Sequence, residues 1–97
     1  MDKKINEKHL KCEYGISLLE YENILDAQNT RCKICNVIFN SYPETTTKPC
    51  IDHNHKTKKI RGIICTLCNT GIGMFRDSAD NLEKAAVYIR AEGSRND

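Results

Sequence analysis

The sequence lacks any long apolar run. No stretch approaches the roughly 20 consecutive apolar residues that a membrane-spanning helix requires. Residues 1–11 read MDKKINEKHLK and contain no apolar segment of the kind that secretory signal peptides carry. We therefore expect a protein with no membrane partner and a cytoplasmic location, where cysteine thiols stay reduced.

The chain also lacks a dominant charge and the length for a large core. Its 15 Lys and Arg against 13 Asp and Glu give a net charge of +2, which is too small to indicate nucleic-acid binding by itself. Basic residues nevertheless concentrate in 56–61 (KTKKIR). A chain of 97 residues forms one domain at most, and its hydrophobic core alone is marginal. At this size a bound metal is a common stabiliser, because its binding free energy becomes folding free energy.

Six cysteines make a metal site the main hypothesis. A secreted chain could use them for three disulfides, but the missing signal sequence favours reduced thiolates. Two Cys-x-x-Cys pairs supply the four soft ligands of a closed, tetrahedral zinc site, and these are Cys32, Cys35, Cys65 and Cys68. The other two have no such partner. We predict that Cys12 is a free thiol and that Cys50 is a buried, small apolar residue.

The pattern predicts a first helix from Ser17 to about Gln28. Ser17 followed by Glu20 forms a capping box, and Asn29-Thr30 ends the helix. Apolar residues recur at helical spacing and predict a face that packs on the core. This face comprises Leu18, Tyr21, Ile24, Leu25 and Gln28.

Residues 36–49 are predicted to be a loop or short strand, because two prolines and three threonines argue against a helix. In this segment Ile38 and Phe39 are expected to pack inward. Residues 50–64 predict a β-hairpin, with arms 50–53 and 59–64 joined by a polar turn.

Two helices are predicted after the hairpin. The first runs from about Leu67 to Phe75, and its two glycines, Gly71 and Gly73, indicate close backbone packing. Asp77 or Ser78 caps the last helix, which extends to about Ala91. Its predicted buried stripe comprises Leu82, Ala85, Ala86 and Ile89.

Between the two cysteine pairs lies the segment Ile51-Asp52-His53-Asn54-His55. An imidazole is suited to proton transfer at neutral pH, so His53 is the candidate general base. A hard cation such as Mg²⁺ or Mn²⁺ prefers oxygen ligands, which Asp52 and Asn69 can supply. His55 would share a strand face with His53. Strict alternation sends Asp52 and His53 to opposite faces, so a shared site requires a twist or bulge there.

Two of these assignments have plainer alternatives. Asn69 is also a suitable cap for the helix that follows it. The basic residues of the hairpin are on average a solvated face, although beside a phosphate-cleaving site they would contact a nucleic-acid backbone without reading its sequence. These residues are Lys56, Lys58, Lys59 and Arg61.

These motifs together resemble the recombination endonuclease VII family of phages, within the wider group of His-Me finger (HNH-like) nucleases. The motifs are Tyr14-Gly15-Ile16, the two Cys-x-x-Cys pairs, Asp52-His53-Asn54-His55, Arg61-Gly62, Asn69 and Gly71-Ile72-Gly73. The resemblance covers roughly residues 14 to 90. It implies a small, zinc-stabilised α+β domain with a ββα-metal core between an N-terminal and a C-terminal helix. The expected division is a basic segment 1–13, a nuclease domain 14–92 and a polar tail 93–97.

The resemblance implies a metal-dependent DNA endonuclease that leaves 5′-phosphate and 3′-hydroxyl ends. Its substrate would be branched or recombination-intermediate DNA, or it would act as a nickase. It implies a structural Zn²⁺, a catalytic Mg²⁺ or Mn²⁺, a monomer or homodimer, and the host cell cytoplasm if a phage encodes the chain. The family often has Asp where this chain has Asn54. The alternative is a zinc-ribbon module that binds nucleic acid without catalysis.

Overall fold

The computed structural model describes Leu10 and residues 14–91 of the chain. This part is a small α+β domain with one two-stranded sheet. Its elements in chain order are α1 (Leu18–Ala27), α2 (Glu44–Thr47), β1 (Pro49–His53), β2 (Ile60–Cys65), α3 (Thr66–Met74) and α4 (Ala79–Arg90). The predictions for Cys12, for most of the segment 1–13 and for the tail 93–97 lie outside the described residues.

Helix α1 begins with the capping box that the sequence predicts. The Glu20 amide donates to Ser17 Oγ at 3.1 Å, and the Ser17 amide donates to Glu20 Oε1 at 2.8 Å. The helix ends where Asn29 and Thr30 adopt left-handed backbone angles, with φ of 57° and 56°. Both ends are therefore determined by local chemistry.

Gln28 ends α1 in a role that the helical pattern does not reveal. Its Oε1 accepts from the Ile63 amide at 3.0 Å, and its Nε2 donates to the Ile63 carbonyl at 2.8 Å. The amide side chain thus bonds strand β2 much as a neighbouring strand would. This contact ties α1 to the hairpin across 35 residues of sequence.

The hairpin forms within one residue of its predicted bounds. β1 and β2 are antiparallel, and Pro49 pairs with Cys65 at the end nearest the cysteine cluster. At the other end Asp52 pairs with Gly62 but His53 pairs with Ile60, so one residue of β2, Arg61, is left without a partner. This is a β-bulge, which locally bends and twists the strand.

The segment 36–49 contains a short helix, so the prediction that it has none is wrong. α2 follows Pro43, where a missing amide hydrogen has no cost, and Thr46 and Thr47 donate their hydroxyls to the Pro43 carbonyl. Phe39 packs inward as predicted, at 5% exposure, whereas Ile38 is 48% exposed and that prediction fails. Ile38 forms an isolated bridge and Phe39 begins the turn that follows it, and of the two only Phe39 is buried.

Helix α3 follows β2 without a loop and packs against both strands and α2. The expected close packing at its glycines is wrong, since a Cβ built on Gly71 or Gly73 would meet no atom within 4 Å. These glycines leave open space on the outside of the helix instead.

The core is small and is centred on β2. Its buried residues are Leu10, Tyr21, Cys32, Phe39, Ile63, Ile64 and Cys65. Leu10, within the segment that we assigned to a basic N-terminal extension, is only 1% exposed and belongs to this core. Cys50 is half-buried, so its predicted burial is only partial.

Helix α4 has the predicted bounds but not the predicted buried stripe. Ser78 is its cap, since the Asn81 amide donates to Ser78 Oγ at 3.1 Å. Leu82, Ala85 and Ala86 are half-buried, whereas Ile89 is 57% exposed. The amphipathic pattern identifies the apolar face of α4 but does not show whether another element covers the last turn of the helix. Among the residues that the structure describes, no helix has the length and apolar character needed to cross a membrane.

Candidate metal centre and active site

The two Cys-x-x-Cys pairs meet at one point. Their four Sγ atoms, from Cys32, Cys35, Cys65 and Cys68, all lie within 4.8 Å of one another. A tetrahedral zinc–thiolate site with bonds of about 2.3 Å separates its sulfur atoms by about 3.8 Å. The distance of 3.7 Å between Cys35 Sγ and Cys65 Sγ matches this geometry. The cluster therefore fits a zinc ion, and it is the one such group of ligands among the described residues.

The backbone around Cys32 favours its thiolate. Cys32 Sγ accepts from the amides of Ile34 and Cys35 at 3.4 Å and of Cys65 at 3.3 Å. Burial raises the pKa of the Cys32 thiol, but these amides outweigh it, and the pKa falls to about 6. Burial and the neighbouring sulfur atoms raise the pKa of Cys68. A dication bound at the cluster would stabilise the thiolate form of its four cysteine ligands.

Asp52 is held by an arginine fork across the bulge. Arg61 Nε donates to Asp52 Oδ2 at 2.7 Å, and Arg61 Nη2 donates to Asp52 Oδ1 at 3.0 Å. The same Nη2 donates to Asp77 Oδ1 at 2.8 Å, in the turn between α3 and α4. Hydrogen bonds to both carboxylates raise the pKa of Arg61, and its guanidinium lowers the pKa of Asp77. Arg61, which we expected to contact nucleic acid, thus bridges two carboxylates.

His53 ends β1 in an aromatic group. Its ring lies 5.8 Å from that of Tyr14, edge to face, and 5.3 Å from that of His55. The register shift of the hairpin falls between Asp52 and His53, at the point where strict alternation would separate the two side chains. The twist or bulge that a shared site requires is therefore present.

Asn69 lies on α3, is exposed and makes no side-chain hydrogen bond with the residues that the structure describes. It does not cap the helix, because the Cys68 amide donates to Cys65 Sγ and Cys65 is the N-cap. The capping alternative is therefore wrong. Metal ligation by Asn69 stays a prediction, since no hydrogen bond in the described part of the chain joins its side chain to Asp52 or His53.

A cavity of about 690 Å³ lies between the hairpin turn and the turn that follows α3. Its lining residues are Asn54, His55, Lys56, Arg61, Gly73, Arg76 and Asp77. Asp52, His53 and Asn69 do not line it. However, Arg61 is bonded to Asp52, and the ring of His55 contacts that of His53. The cavity therefore adjoins two of the candidate catalytic residues through their direct partners.

Asn54 shapes the hairpin turn. Its Oδ1 accepts from the amides of Lys56 and Thr57 at 2.8 and 2.9 Å. An aspartate carboxylate accepts the same two bonds, so the departure from the family's usual Asp leaves the turn intact. The exposed side chains of Lys56, Lys58 and Lys59 form no ion pair within the described part of the chain.

Sequence reasoning missed two residues of the cavity. Arg76 was given no role, and Asp77 was considered only as a helix cap. Their signal was weak, because both follow a helix without a motif of their own. Both adopt left-handed backbone angles, with φ of 56° and 58°.

The fold and the cysteine cluster define a small α+β domain with a four-cysteine site that could hold a zinc ion. More particularly, the chain belongs to the recombination endonuclease VII family, whose model matches residues 7–91. The family takes its name from a recombination endonuclease.

Two phage proteins are similar to this chain. The Gene 59 protein of Mycobacterium phage D29 is 36% identical over 85 residues, and that of Mycobacterium phage L5 is 33% identical over 84. These matches cover 87% and 86% of this chain but 49% of each relative, so the chain spans about half the length of the curated relatives it matches. No solved structure matches.

Proposed function

We propose that the domain is a metal-dependent DNA endonuclease that hydrolyses phosphodiester bonds and leaves 5′-phosphate and 3′-hydroxyl ends. One observation carries the proposal beyond family membership. Arg61 and His55, the direct partners of Asp52 and His53, line the same basic cavity. A DNA strand bound along that cavity would pass beside both candidate catalytic groups.

In this proposal His53 accepts the proton of the attacking water. A general base at this step is worth about 10²- to 10⁴-fold in rate. Its ring is held between Tyr14 and His55, so its orientation is restricted before substrate arrives. His55 contacts the scissile phosphate or helps to hold His53.

Asp52 and Asn69 are the proposed ligands of the catalytic Mg²⁺ or Mn²⁺. One carboxylate and one amide oxygen form a donor set suited to a hard cation that keeps several waters. When bound, the cation supplies Lewis-acid stabilisation of the phosphate and the leaving 3′-oxygen. The two hydrogen bonds from Arg61 fix the direction of the Asp52 carboxylate.

The same proposal assigns the hairpin and α3 to a ββα-metal (His-Me finger) core. Lys56, Lys58 and Lys59 would contact the DNA backbone. The protein would act as a monomer or homodimer in the host cell cytoplasm. Branched, nicked and linear duplexes are the substrates to compare first, because the family description names recombination.

The test is a supercoiled plasmid assay with Mg²⁺. We expect wild type to nick or linearise the plasmid, and His53→Ala to lose at least about 10²-fold in rate. His9→Ala is the matched control, because it makes the same substitution at a histidine outside the hairpin. Zinc content and thermal melts of all three proteins show whether the domain remains folded.

Two outcomes would contradict parts of this proposal. Cleavage by folded His53→Ala at the wild-type rate would refute the assigned base. If neither protein cleaves any of the DNA shapes but both retard DNA in a gel, the domain is instead a non-catalytic zinc module that binds nucleic acid.

A further inference from the structure

We propose that the cavity between the hairpin turn and the α3–α4 turn is a second phosphate subsite, in which Arg76 and Lys56 bind a DNA backbone phosphate next to the reactive one. The inference rests on the proposed nuclease function for its ligand. It adds a binding residue, Arg76, that neither the sequence motifs nor the proposed chemistry assigns.

The size and lining of the cavity suit a piece of a nucleic-acid strand. Its volume of about 690 Å³ lies within the range of about 300–1,000 Å³ that is typical of ligand sites. Gly73 forms part of its wall, and a Cβ there would meet no atom within 4 Å. A sugar–phosphate backbone can therefore approach the helix closely at this point.

The side chains that line the cavity carry more positive than negative charge, which favours the binding of an anion. Three lining side chains are permanent cations, namely Lys56, Arg61 and Arg76. The single carboxylate of the lining, Asp77, is already bonded to Arg61. Among the residues that the structure describes, Lys56 and Arg76 have no carboxylate partner. Both therefore remain available for a phosphate.

Hydrogen bonds donated by backbone amides hold both walls of the cavity in place. On one side Asn54 holds the amides of the turn that carries Lys56. On the other side the Arg76 amide donates to the Gly73 carbonyl at 2.8 Å, and the Asp77 amide donates to the Ile72 carbonyl at 2.9 Å. The two cations thus project from ordered turns that face the same space.

The position of Arg61 relates this subsite to the reactive centre. Its guanidinium joins Asp52, the candidate metal ligand, to Asp77 on the far wall. A strand that crosses from Asp52 to Arg76 would therefore pass along Arg61. Consecutive phosphates of one strand then contact the reactive centre and the subsite in turn.

The experiment measures DNA binding without cleavage, in the His53→Ala protein. Fluorescence anisotropy with a labelled duplex is recorded over a range of salt concentrations, for this parent and for Arg76→Gln added to it. A lost phosphate contact predicts severalfold weaker binding and a salt slope that is smaller by about 1. Arg76→Lys keeps the charge and should keep the slope.

Arg90→Gln is the matched control, because Arg90 is exposed at the end of α4 and does not line the cavity. We expect it to leave both affinity and slope unchanged. If Arg76→Gln binds with the affinity and slope of the parent, or if Arg90→Gln has an equal effect, the subsite is refuted.

A steric variant tests the same cavity without altering charge. In Gly73→Leu the new Cβ lies in open space, so the helix tolerates the substitution. The leucine side chain would fill part of the cavity that Gly73 lines. We expect weaker DNA binding with an unchanged thermal melt. Parent-like binding by this variant would refute occupation of the cavity by DNA.

Competition with inorganic phosphate distinguishes a DNA phosphate from a site for free anions. If free phosphate competes in the parent but less in Arg76→Gln, the subsite binds phosphate of either source. Competition of equal strength in both proteins contradicts the role of Arg76. A third outcome is that the wild-type protein leaves the plasmid intact while the salt slope of DNA binding still depends on Arg76. That combination would reject the proposed nuclease and retain the subsite.

Discussion

Replacing Cys68 by serine is the most direct test of the zinc centre. Cys68 is half-buried, whereas Cys32 and Cys65 belong to the core and Cys65 also caps α3. Structural zinc contributes about 10–16 kcal/mol in zinc-finger peptides. Small domains have a net stability of only about 5–15 kcal/mol. A site reduced to three thiolates should therefore leave the domain largely unfolded.

The matched control is Cys50→Ser, which makes the same substitution at another half-buried cysteine. Cys50 Sγ lies 3.7–3.8 Å from its nearest polar partners and is not part of the cluster. We expect Cys50→Ser to keep one bound zinc and a cooperative melt by circular dichroism. Cys68→Ser should lose both.

Acid should reproduce the effect of Cys68→Ser in the unmodified protein. Zinc binds thiolates, so protons compete with it, and zinc retention should fall as the pH is lowered. A Cys68→Ser protein that contains no zinc and yet melts like wild type would refute the claim that the metal stabilises the fold. Retention of zinc in strong acid would contradict the thiolate ligation.

Three further predictions concern stability and the catalytic cation. Gln28→Met leaves the Ile63 amide of β2 without its partner and should lower the free energy of unfolding by about 1–3 kcal/mol, seen as a lower thermal melting temperature. An unchanged melting temperature would mean that this contact contributes nothing. Gly62→Ala should lower the free energy of unfolding by about 1–3 kcal/mol because φ there is +155°, whereas Gly71→Ala should not destabilise the domain. Equal melting temperatures for the two variants would contradict the argument from backbone strain. Arg61→Gln should tighten Mn²⁺ binding, measured by calorimetry of the zinc-loaded protein, because it frees both oxygens of Asp52 and removes a positive charge that repels the cation. Weaker binding would refute competition between Arg61 and the cation.

The elements that sequence predicts well here are those whose signals are local. The capping box of Ser17 and Glu20 gives the start of α1, and two strand segments joined by a polar run give the hairpin to within one residue. The zinc cluster is also predictable, because four thiolates at this spacing have few other uses in a reducing compartment.

Prediction fails where the outcome depends on distant partners. Gln28 reads as one more position on the face of a helix, but its partner Ile63 lies 35 residues away. Arg61 reads as one of several basic residues, and nothing near it in sequence indicates that Asp77 will share it. The exposed Ile89 shows the same limit, since periodicity identifies an apolar face without showing whether another element covers it.

The bulge in the hairpin is a case in which a conflict between local rules is itself informative. Asp52 and His53 are adjacent, and a regular strand cannot turn both toward one site. The structure shifts register between them, and the residue left over on the opposite strand is Arg61, which then grips Asp52. A bulge sacrifices regular pairing in order to redirect side chains, which is why bulges are frequent beside active sites. Where two neighbouring strand residues both carry chemistry, a break in alternation should therefore be predicted together with the site.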